Sequence, residues 1–309
     1  MGSISHHLRP EVLTTQSRCS SRSTLAVRRE LLISLEEHFP NLKLDLDMLW
    51  GDPLTLRSSP LIHSLHVCFA PSSLDTTKTS PVLTHVQTQI MDSSNLVELS
   101  MEIASMGCVI YDVDPKFAQL KDKRFPPLEK LTLEAFPLTV ENVEYWMVNM
   151  DWSHVEYLDL RVINNPTCFF NESMKLADSL PQLKTLRMEL PWFRKRSDLR
   201  EFEDTFRRFL DAPRNTGLLE IALEGGHLPY LQTILNKHGA SLKKLRLHDP
   251  ERASEPQRDM LSDLDLSDLG QRAPNLVDIS IDINYNLDGS LVSYFCPLSD
   301  RHLILNHWP

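Results

Sequence analysis

The residues of this sequence with the greatest capacity for chemistry are its 12 histidines and 42 carboxylates. No histidines form the His-Glu-x-x-His pattern that places two metal ligands on one helix face. His63 and His66 are spaced so that they occupy offset positions of a strand, where they would not share a metal ion. Asp263, Asp265 and Asp268 lack the glycine and closing glutamate of a calcium loop, so we interpret them as solvated charges. We therefore expect no metal site.

Motifs for nucleotide binding and for nucleophilic catalysis are also missing from the sequence. Only nine glycines occur, and no loop of the Gly-x-x-x-x-Gly-Lys or Gly-x-Gly-x-x-Gly type is present to cradle a phosphate. No serine lies in a Gly-x-Ser-x-Gly turn, and no cysteine lies at an evidently electropositive helix start. We predict a protein that has no cofactor and is not an enzyme. The alternative is an enzyme whose site follows none of these patterns.

Charge and cysteine usage narrow the class of partner and the cellular setting. A net charge of −10 would repel nucleic acids and anionic membranes from the molecule as a whole, which leaves a protein as the expected partner. The five cysteines are scattered and never in a Cys-x-x-Cys pair, which argues against a disulfide framework and a zinc site. No apolar run approaches the roughly 18 residues that cross a membrane, and Met1 to Leu25 lacks the apolar core of a signal peptide. We expect a cytoplasmic or nuclear protein, in which the sequon at Asn171 is a chance match and Asn171 or Ser173 caps a helix.

The elements that would position functional residues are indicated by an apolar pattern that recurs in eight windows. Its clearest copy is Pro127 to Glu134, where Leu128, Leu131 and Leu133 stand at i, i+3 and i+5. The intervening residues are overwhelmingly polar, with Ala222 the only plainly apolar member, as expected for a strand buried on one face and exposed on the other. Successive windows begin 24 to 35 residues apart, which leaves room for a strand, a loop and a helix. The other windows begin at Ile62, Leu96, Val155, Leu183, Leu218, Leu242 and Leu276.

This unit resembles the leucine-rich repeat, whose period is about 20 to 29 residues. Several intervals here are longer, and the position that holds Asn or Cys in a regular repeat is mostly filled by other residues. We therefore predict an α/β fold: an irregular leucine-rich-repeat solenoid with a curved parallel sheet, one short strand per repeat, and outer helices. The residues at the Asn/Cys position are Ala70, Ala104, Phe136, Ile163, Pro191, Gly226, Pro250 and Asn284.

The chain is predicted to form one elongated domain, because the units of a solenoid contact only their neighbours. Residues 1–22 are polar and are expected to be a disordered arm, and residues 23–309 the solenoid. A helix ending at His38 and a strand over Leu42–Leu46 would form an N-terminal cap at about 23–50. The apolar segment at about 290–309 would form a C-terminal cap or an exposed docking segment. Further helices are predicted over Thr139–Met150, Asn171–Leu180, Ser197–Ala212, His227–His238 and Ser254–Arg272.

Three features of the sequence point to a particular family. They are the Pro-x-Leu-x-x-Leu-x-Leu window that follows a helix, the run Val143-Glu144-Tyr145-Trp146, and Arg28–Leu32 leading to Pro40–Leu44. Over about residues 24–290 they resemble the repeat region of fungal F-box/leucine-rich repeat proteins. The resemblance implies repeats that hold a substrate for a cullin-based ubiquitin ligase, which the F-box recruits. A cullin adaptor is thus an expected partner only if an F-box is present, and here only Leu8–Leu13 echoes its opening; otherwise we expect a stand-alone repeat protein.

The exposed side chains of the predicted strands would line a continuous concave surface, which is the predicted site for a protein partner of unknown identity. Arginines on this surface could bind carboxylates in a bidentate way. The alternative is mutual pairing between strands, with Glu220 beside Lys244 and Glu224 beside His248. The basic loop Arg194–Arg196 is a second candidate site. The partner-binding candidates on the concave surface are Tyr157, Asp159, Arg161, Arg187, Glu189, Arg246 and His248.

Overall fold

The computed structural model describes residues 29–48, 56–70, 74, 80–104, 117–118, 120, 123–163, 165–175, 180–190, 196–212, 217–225, 228–249, 261–282 and 302–306. Within these ranges the strands form one ten-stranded sheet whose order in space follows the order in sequence, and all neighbouring strands are parallel. The strands are β1 (Leu44–Met48), β2 (Ile62–Phe69), β3 (Glu98–Ile103), β4 (Lys130–Glu134), β5 (Tyr157–Arg161), β6 (Thr185–Glu189), β7 (Glu220–Glu224), β8 (Lys244–His248), β9 (Asp278–Asp282) and β10 (His302–Asn306). The helices are α1 (Arg29–His38), α2 (Pro81–Met91), α3 (Val140–Asn149), α4 (Pro166–Lys175), α5 (Arg196–Asp211), α6 (Leu228–His238) and α7 (Asp263–Arg272), with a 3₁₀ helix at Trp152–His154.

The sheet follows from the alternation of apolar and polar residues along each strand. Neighbouring strands pair so that Leu131 of β4 lies between Leu99 of β3 and Leu158 of β5, and similar ladders run through the later strands. Every apolar residue that defines the eight windows is buried, each at most 3% exposed. Burying one such side chain contributes about 1.5–3 kcal/mol, so the ladders form the core of the molecule. The predicted fold class, an α/β solenoid with one short parallel strand per unit, is confirmed.

The outer helices pack on one another through a chain of rings that we call the aromatic spine: Phe170, Phe206, Phe209 and Tyr230. Phe170 of α4 lies 5.0 Å from Phe206 and 4.7 Å from Phe209 of α5, measured between ring centroids. Tyr230 of α6 packs edge-on against Phe206 at 5.0 Å. Aromatic pairs at these separations add to the energy of burial, so the spine ties three successive units together.

Helix α4 begins five residues before the predicted start at Asn171. Proline is favoured in the first turn of a helix, and Pro166 supplies that start. Asn171 and Ser173 therefore lie inside the helix and do not cap it; the buried Ser173 hydroxyl donates to the carbonyl of Phe170. Leu180, the predicted end, has a φ of +58°, which a helix cannot accommodate.

In two other helices one apolar residue is exposed. Helix α7 begins at Asp263 after a capping box at Ser262, and this phase turns Leu264 outward, where it is 81% exposed. Leu266 and Leu269 of the same helix are buried. In α3, Val140 lies in the first turn and is 48% exposed, while Val143, Trp146, Met147 and Met150 are buried. Helix α5 starts at Arg196, so Ser197 lies within it and is not its N-cap.

The two ends of the solenoid complete the sheet. Strand β1 begins at Leu44, two residues later than predicted, and its residues alternate between half-buried and exposed. Strand β10 pairs with β9 and lies in the range predicted as a C-terminal cap. Residues 1–22, the predicted arm, lie outside the described residues. Across the described ranges, no helix combines the length and the hydrophobicity that crossing a bilayer requires.

Candidate functional site: the polar face of the sheet

The side chains between the buried ladders form a polar face on the side of the sheet opposite the core. From β3 to β9 they fall into three rows that cross the strands. The first row is Glu98, Lys130, Tyr157, Thr185, Glu220, Lys244 and Asp278; the middle row is Ser100, Thr132, Asp159, Arg187, Ala222, Arg246 and Ser280; the last row is Glu102, Glu134, Arg161, Glu189, Glu224, His248 and Asp282. Because the backbone of each strand is fixed by its neighbours, these side chains project from rigid positions.

Asp159, at the centre of the face, is a buried carboxylate with three donors. Its side chain is 1% exposed and accepts hydrogen bonds from the Tyr157 hydroxyl at 3.0 Å and from Nε and Nη2 of Arg161 at 3.0 and 2.5 Å. The hydrogen bonds that Arg161 donates to Asp159 raise the pKa of Arg161 above its ordinary value, and burial raises the pKa of Tyr157. A buried carboxylate is tolerated only when it is paired with a cation, so Arg161 stabilises the fold by pairing with Asp159.

The two middle-row arginines lean towards the first row. Arg187 donates from Nε and Nη2 to one oxygen of Glu220 at 2.9 and 2.5 Å, and its guanidinium carbon lies 5.5 Å from the centre of the Tyr157 ring. Burial would lower the pKa of Arg187, but the hydrogen bonds to Glu220 together with the charges of Tyr157, Glu220 and Asp159 outweigh burial, and the pKa is raised. Arg246 approaches Asp278 less closely, at 3.6 Å. Both guanidinium groups are thereby turned away from the last row.

A pocket opens over Ala222, which stands between Arg187 and Arg246 in the middle row. The Ala222 methyl group is much shorter than the arginine side chains on either side of it. The resulting open pocket has a volume of about 710 Å³, with the two arginines on its sides and Glu189 and Glu224 of the last row at its rim. Groups of both charge signs therefore line the pocket.

The last row differs from the first in its charge pattern. In the first row opposite charges are neighbours, and Lys130 lies 2.5 Å from Glu98. In the last row, Glu102 pairs in register with Glu134, and Glu189 with Glu224, so carboxylates are neighbours. The pKa of Glu134 is raised, mainly by burial and further by the charge of Glu102, against the opposing effect of Arg161.

The structure brings six of the seven predicted partner-binding residues to the rim and walls of this pocket. They are Asp159, Arg161, Arg187, Glu189, Arg246 and His248. The seventh, Tyr157, lies under the guanidinium of Arg187. The alternative of mutual pairing also has support: Lys244 approaches Glu220 at 3.8 Å, and Glu224 neighbours His248 in register. His248, however, contacts Asp282 at 3.1 Å.

Sequence reasoning did not include Glu102, Glu134 and Glu224 among the partner-binding candidates. The signal was available in the sequence, because the residue that directly follows the last apolar residue of a window is a glutamate in four of the seven strands from β3 to β9. Three of the seven candidates are arginines. Two of these, Arg161 and Arg187, form ion pairs with the carboxylates of Asp159 and Glu220 on the same face.

The other candidate chemistries find no site in the described part of the chain. His63 contacts Lys43 at 3.1 Å, whereas His66 lies between Asp47 and Glu102 at 3.2 and 3.5 Å, so the two histidines have separate surroundings. Among the described residues, no group of three or more histidine, cysteine, aspartate or glutamate side chains is arranged to hold a metal ion. Arg194 and Lys195 of the basic loop lie outside the described residues.

Comparison with known proteins adds little to these observations. No protein-family model matches the sequence, and no curated protein matches it. A solved structure to which the chain is similar is internalin C2 from Listeria monocytogenes, with 18% sequence identity over 71% of this chain and 74% of that chain and a TM-score of 0.33. The sheet itself, with one short parallel strand and an intervening connection per unit, defines an irregular repeat protein of the leucine-rich type.

Proposed function

We propose that this protein is a protein-binding scaffold and that its partner docks on the polar face of the sheet. The observation that supports the proposal most directly is the pocket over Ala222, where six of the seven partner-binding candidates converge. The strands hold these side chains in place before a partner arrives, so binding would cost little ordering of the scaffold. The described residues of the face contribute polar groups from seven consecutive strands, which suits an extended partner surface.

The test must leave the ion pairs of the face intact. Reversing the charge of Arg161 would bring a carboxylate against the buried Asp159, and any loss of binding could then reflect unfolding. Ala222→Tyr avoids this difficulty, because tyrosine suits a strand and would fill the pocket without removing a charge. Leu264→Tyr is the matched control, since Leu264 is 81% exposed on the outer helix α7.

The experiment is an affinity capture from a lysate of the organism that encodes the protein, with wild-type, Ala222→Tyr and Leu264→Tyr chains as baits. We expect a set of proteins that the wild-type and Leu264→Tyr chains retain and that Ala222→Tyr loses. Thermal unfolding of each bait checks that the three are equally folded. Retention of every partner by a folded Ala222→Tyr chain would contradict docking on this face.

The proposal concerns binding and does not extend to ubiquitin ligation. The family resemblance implies a cullin adaptor only through an F-box, of which the sequence shows no more than the echo at Leu8–Leu13. We therefore expect no cullin adaptor to co-purify with the full chain. Recovery of the adaptor in equal amounts, and its loss on removal of residues 1–23, would instead support a substrate receptor.

A further inference from the structure

We propose that the pocket over Ala222 binds a dipolar segment of the partner, in which a carboxylate side chain reaches Arg246 and a cationic side chain reaches Glu224. This inference rests on the proposed function and adds the chemistry of the segment that docks. It depends on two groups of opposite charge that line the same pocket and still have hydrogen-bonding capacity available to a partner.

Arg246 supplies the positive group. Its side chain is 46% exposed, and its contact with Asp278, at 3.6 Å, is an ion pair that is too long for a hydrogen bond. Within the described ranges the guanidinium has no other partner. Arg161 and Arg187 differ, since each already donates two hydrogen bonds to one carboxylate. A guanidinium offers five N–H donors in a planar fork, so Arg246 can hold a partner carboxylate in a bidentate way.

Glu224 supplies the negative group. The register of the sheet places it beside His248, but Nδ1 of that ring contacts the buried carboxylate of Asp282 at 3.1 Å. The Glu224 side chain is exposed, and none of the cations in the described part of the chain lies within ion-pair distance of it. Its carboxylate therefore keeps its acceptor capacity for a donor from the partner.

Arg246 and Glu224 lie on adjacent strands, yet the structure shows no ion pair between these two described residues. Ala222 is the register neighbour of Arg246, and Glu224 lies two residues further along β7. With strands about 4.8 Å apart and about 3.3 Å per residue, the Cα atoms of the two charged residues are about 8 Å apart on the diagonal. Arg246 bends towards Asp278 on the opposite side of β8, so the space over Ala222 stays open.

The surrounding charges favour a ligand of mixed sign. A carboxylate alone would reach Arg246 but would also lie near the acidic groups of Glu220 and Asp278, which the arginines of the pocket already contact. A cation alone would reach Glu224 but would share the pocket with the guanidinium groups of Arg187 and Arg246. When both enter together, each has an opposite charge in the wall, and the two also attract each other.

The separation of the two groups sets the spacing of charges on the partner. Residues i and i+2 of an extended segment project from the same face and are about 6.6 Å apart. Long side chains bridge the small difference from the diagonal between Arg246 and Glu224. We therefore expect an acidic and a basic residue two positions apart in the docking segment.

The test uses four fluorescein-labelled peptides of about twelve residues, in which every second residue is serine. One alternates glutamate and arginine at the charged positions, one groups the glutamates before the arginines, and two carry glutamate alone or arginine alone. Fluorescence anisotropy with the full chain at about 0.05 M salt should show the alternating peptide binding most tightly. Arg246→Gln and Glu224→Gln should each weaken its binding about tenfold.

The matched controls are Arg207→Gln on α5 and Glu144→Gln on α3, which remove the same charges from exposed positions of the outer helices. Both should bind the alternating peptide as the wild-type chain does, and thermal unfolding checks that all four variants are folded.

The inference is overturned if the wild-type chain does not bind the alternating peptide or binds a peptide of one sign as tightly. It is also overturned if neither pocket variant weakens binding, or if the control variants weaken it equally. In each of these cases, a partner captured by the wild-type chain and lost by Ala222→Tyr would still support docking on the polar face. Failure of the inference is thus distinguishable from failure of the proposed function.

Discussion

Asp159 is a buried carboxylate on a face of the sheet whose side chains are mostly exposed or half-buried. It is buried among exposed polar groups and depends on Arg161, which contributes two of its three hydrogen bonds. Removing one partner of a buried ion pair leaves a charge without compensation and costs more than removing an exposed pair. Arg161 therefore contributes to stability although the alternation of residues along β5 places it on the exposed face.

We expect Arg161→Met to lower the free energy of unfolding by about 2 kcal/mol, because the Tyr157 hydroxyl alone would remain to satisfy Asp159. Arg246→Met makes the same change where the ion pair is looser, at 3.6 Å, and exposed. Arg246→Met should lower the free energy of unfolding by at most about 1 kcal/mol. Urea unfolding of the two variants measures the difference. Equal urea midpoints for the two variants would show that Arg161 contributes no more to stability than the exposed Arg246.

His238, at the end of α6, predicts a dependence of stability on pH. Its side chain is fully buried; Nε2 bonds to the carbonyl of Leu210 at 3.0 Å, and Nδ1 has no partner. Burial lowers the pKa of His238 from 6.5 to about 4 in the folded chain. The unfolded chain thus binds more protons between these two values, so the stability from the neutral ring is complete above pH 6.5 and is lost as the pH falls towards 4.

Over that window the loss from His238 amounts to about 3 kcal/mol. His238→Gln should therefore flatten the decline in stability between pH 6.5 and 4 relative to the wild-type chain. The control is His154→Gln, at a histidine whose side chain is 52% exposed, which should leave the decline unchanged. Urea unfolding across the pH range provides the measurement. A wild-type slope retained in His238→Gln would refute the linkage.

At the scale of the elements, the two faces of a strand differ in their tolerance of substitution. Leu131 and Thr132 are adjacent in β4, but Leu131 is fully buried and Thr132 lies on the polar face. Leu131→Asn should cost about 3–5 kcal/mol through lost burial and an unsatisfied amide, whereas Thr132→Asn should change stability by less than about 1 kcal/mol. Thermal unfolding compares the two. Similar melting temperatures would place β4 in a different register.

The strands were predictable because their signal is local. Three apolar residues with polar neighbours on either side specify both the strand and its buried face, and the pattern repeats with little variation. Helix bounds depended on weaker signals. The apolar stripe suggested a start at Asn171 for α4, but the proline at 166 and the ring of Phe170, which packs on α5, fix an earlier start. In α7 the capping box at Ser262 sets the phase and turns Leu264 outward.

The candidate site was predictable only in part, and for a physical reason. Register across a parallel sheet follows from the aligned windows, so the neighbours Glu220 and Lys244 could be named in advance. The direction in which a long side chain bends could not be named in advance from the sequence. Arg187 reaches Glu220 on the next strand, and that choice, with the small Ala222 beside it, creates the pocket.

At the scale of the whole molecule, each unit of a solenoid is stabilised by the units beside it. The aromatic spine is an example of this dependence, because Phe170 of α4 contacts three rings of α5. Phe170→Ala would leave a cavity at this junction, with an expected cost of about 3–5 kcal/mol. The damage should extend to α5 and leave the distant α2 unaffected.

Hydrogen exchange followed by mass spectrometry measures this spread. In Phe170→Ala, amides of α4 and α5 should exchange faster, while those of α2 keep the wild-type rate. Leu83→Ala, at a fully buried position of α2, should give the reverse pattern. A uniform increase along the chain in both variants would indicate a single cooperative unit and would argue against propagation between neighbours.

The alternation of half-buried and exposed residues along β1 affects the tendency of the protein to self-associate. A parallel sheet presents unpaired backbone groups at each end, and such edges recruit strands from other molecules. Among the described residues, β1 pairs with β2 alone, and its exposed positions are Asp45 and Asp47. A second molecule that added its own edge there would bring further negative charge against these aspartates, in a chain whose net charge is already −10. The edge aspartates thus oppose end-to-end growth into fibres, and the solenoid can have a long sheet without polymerising at this end.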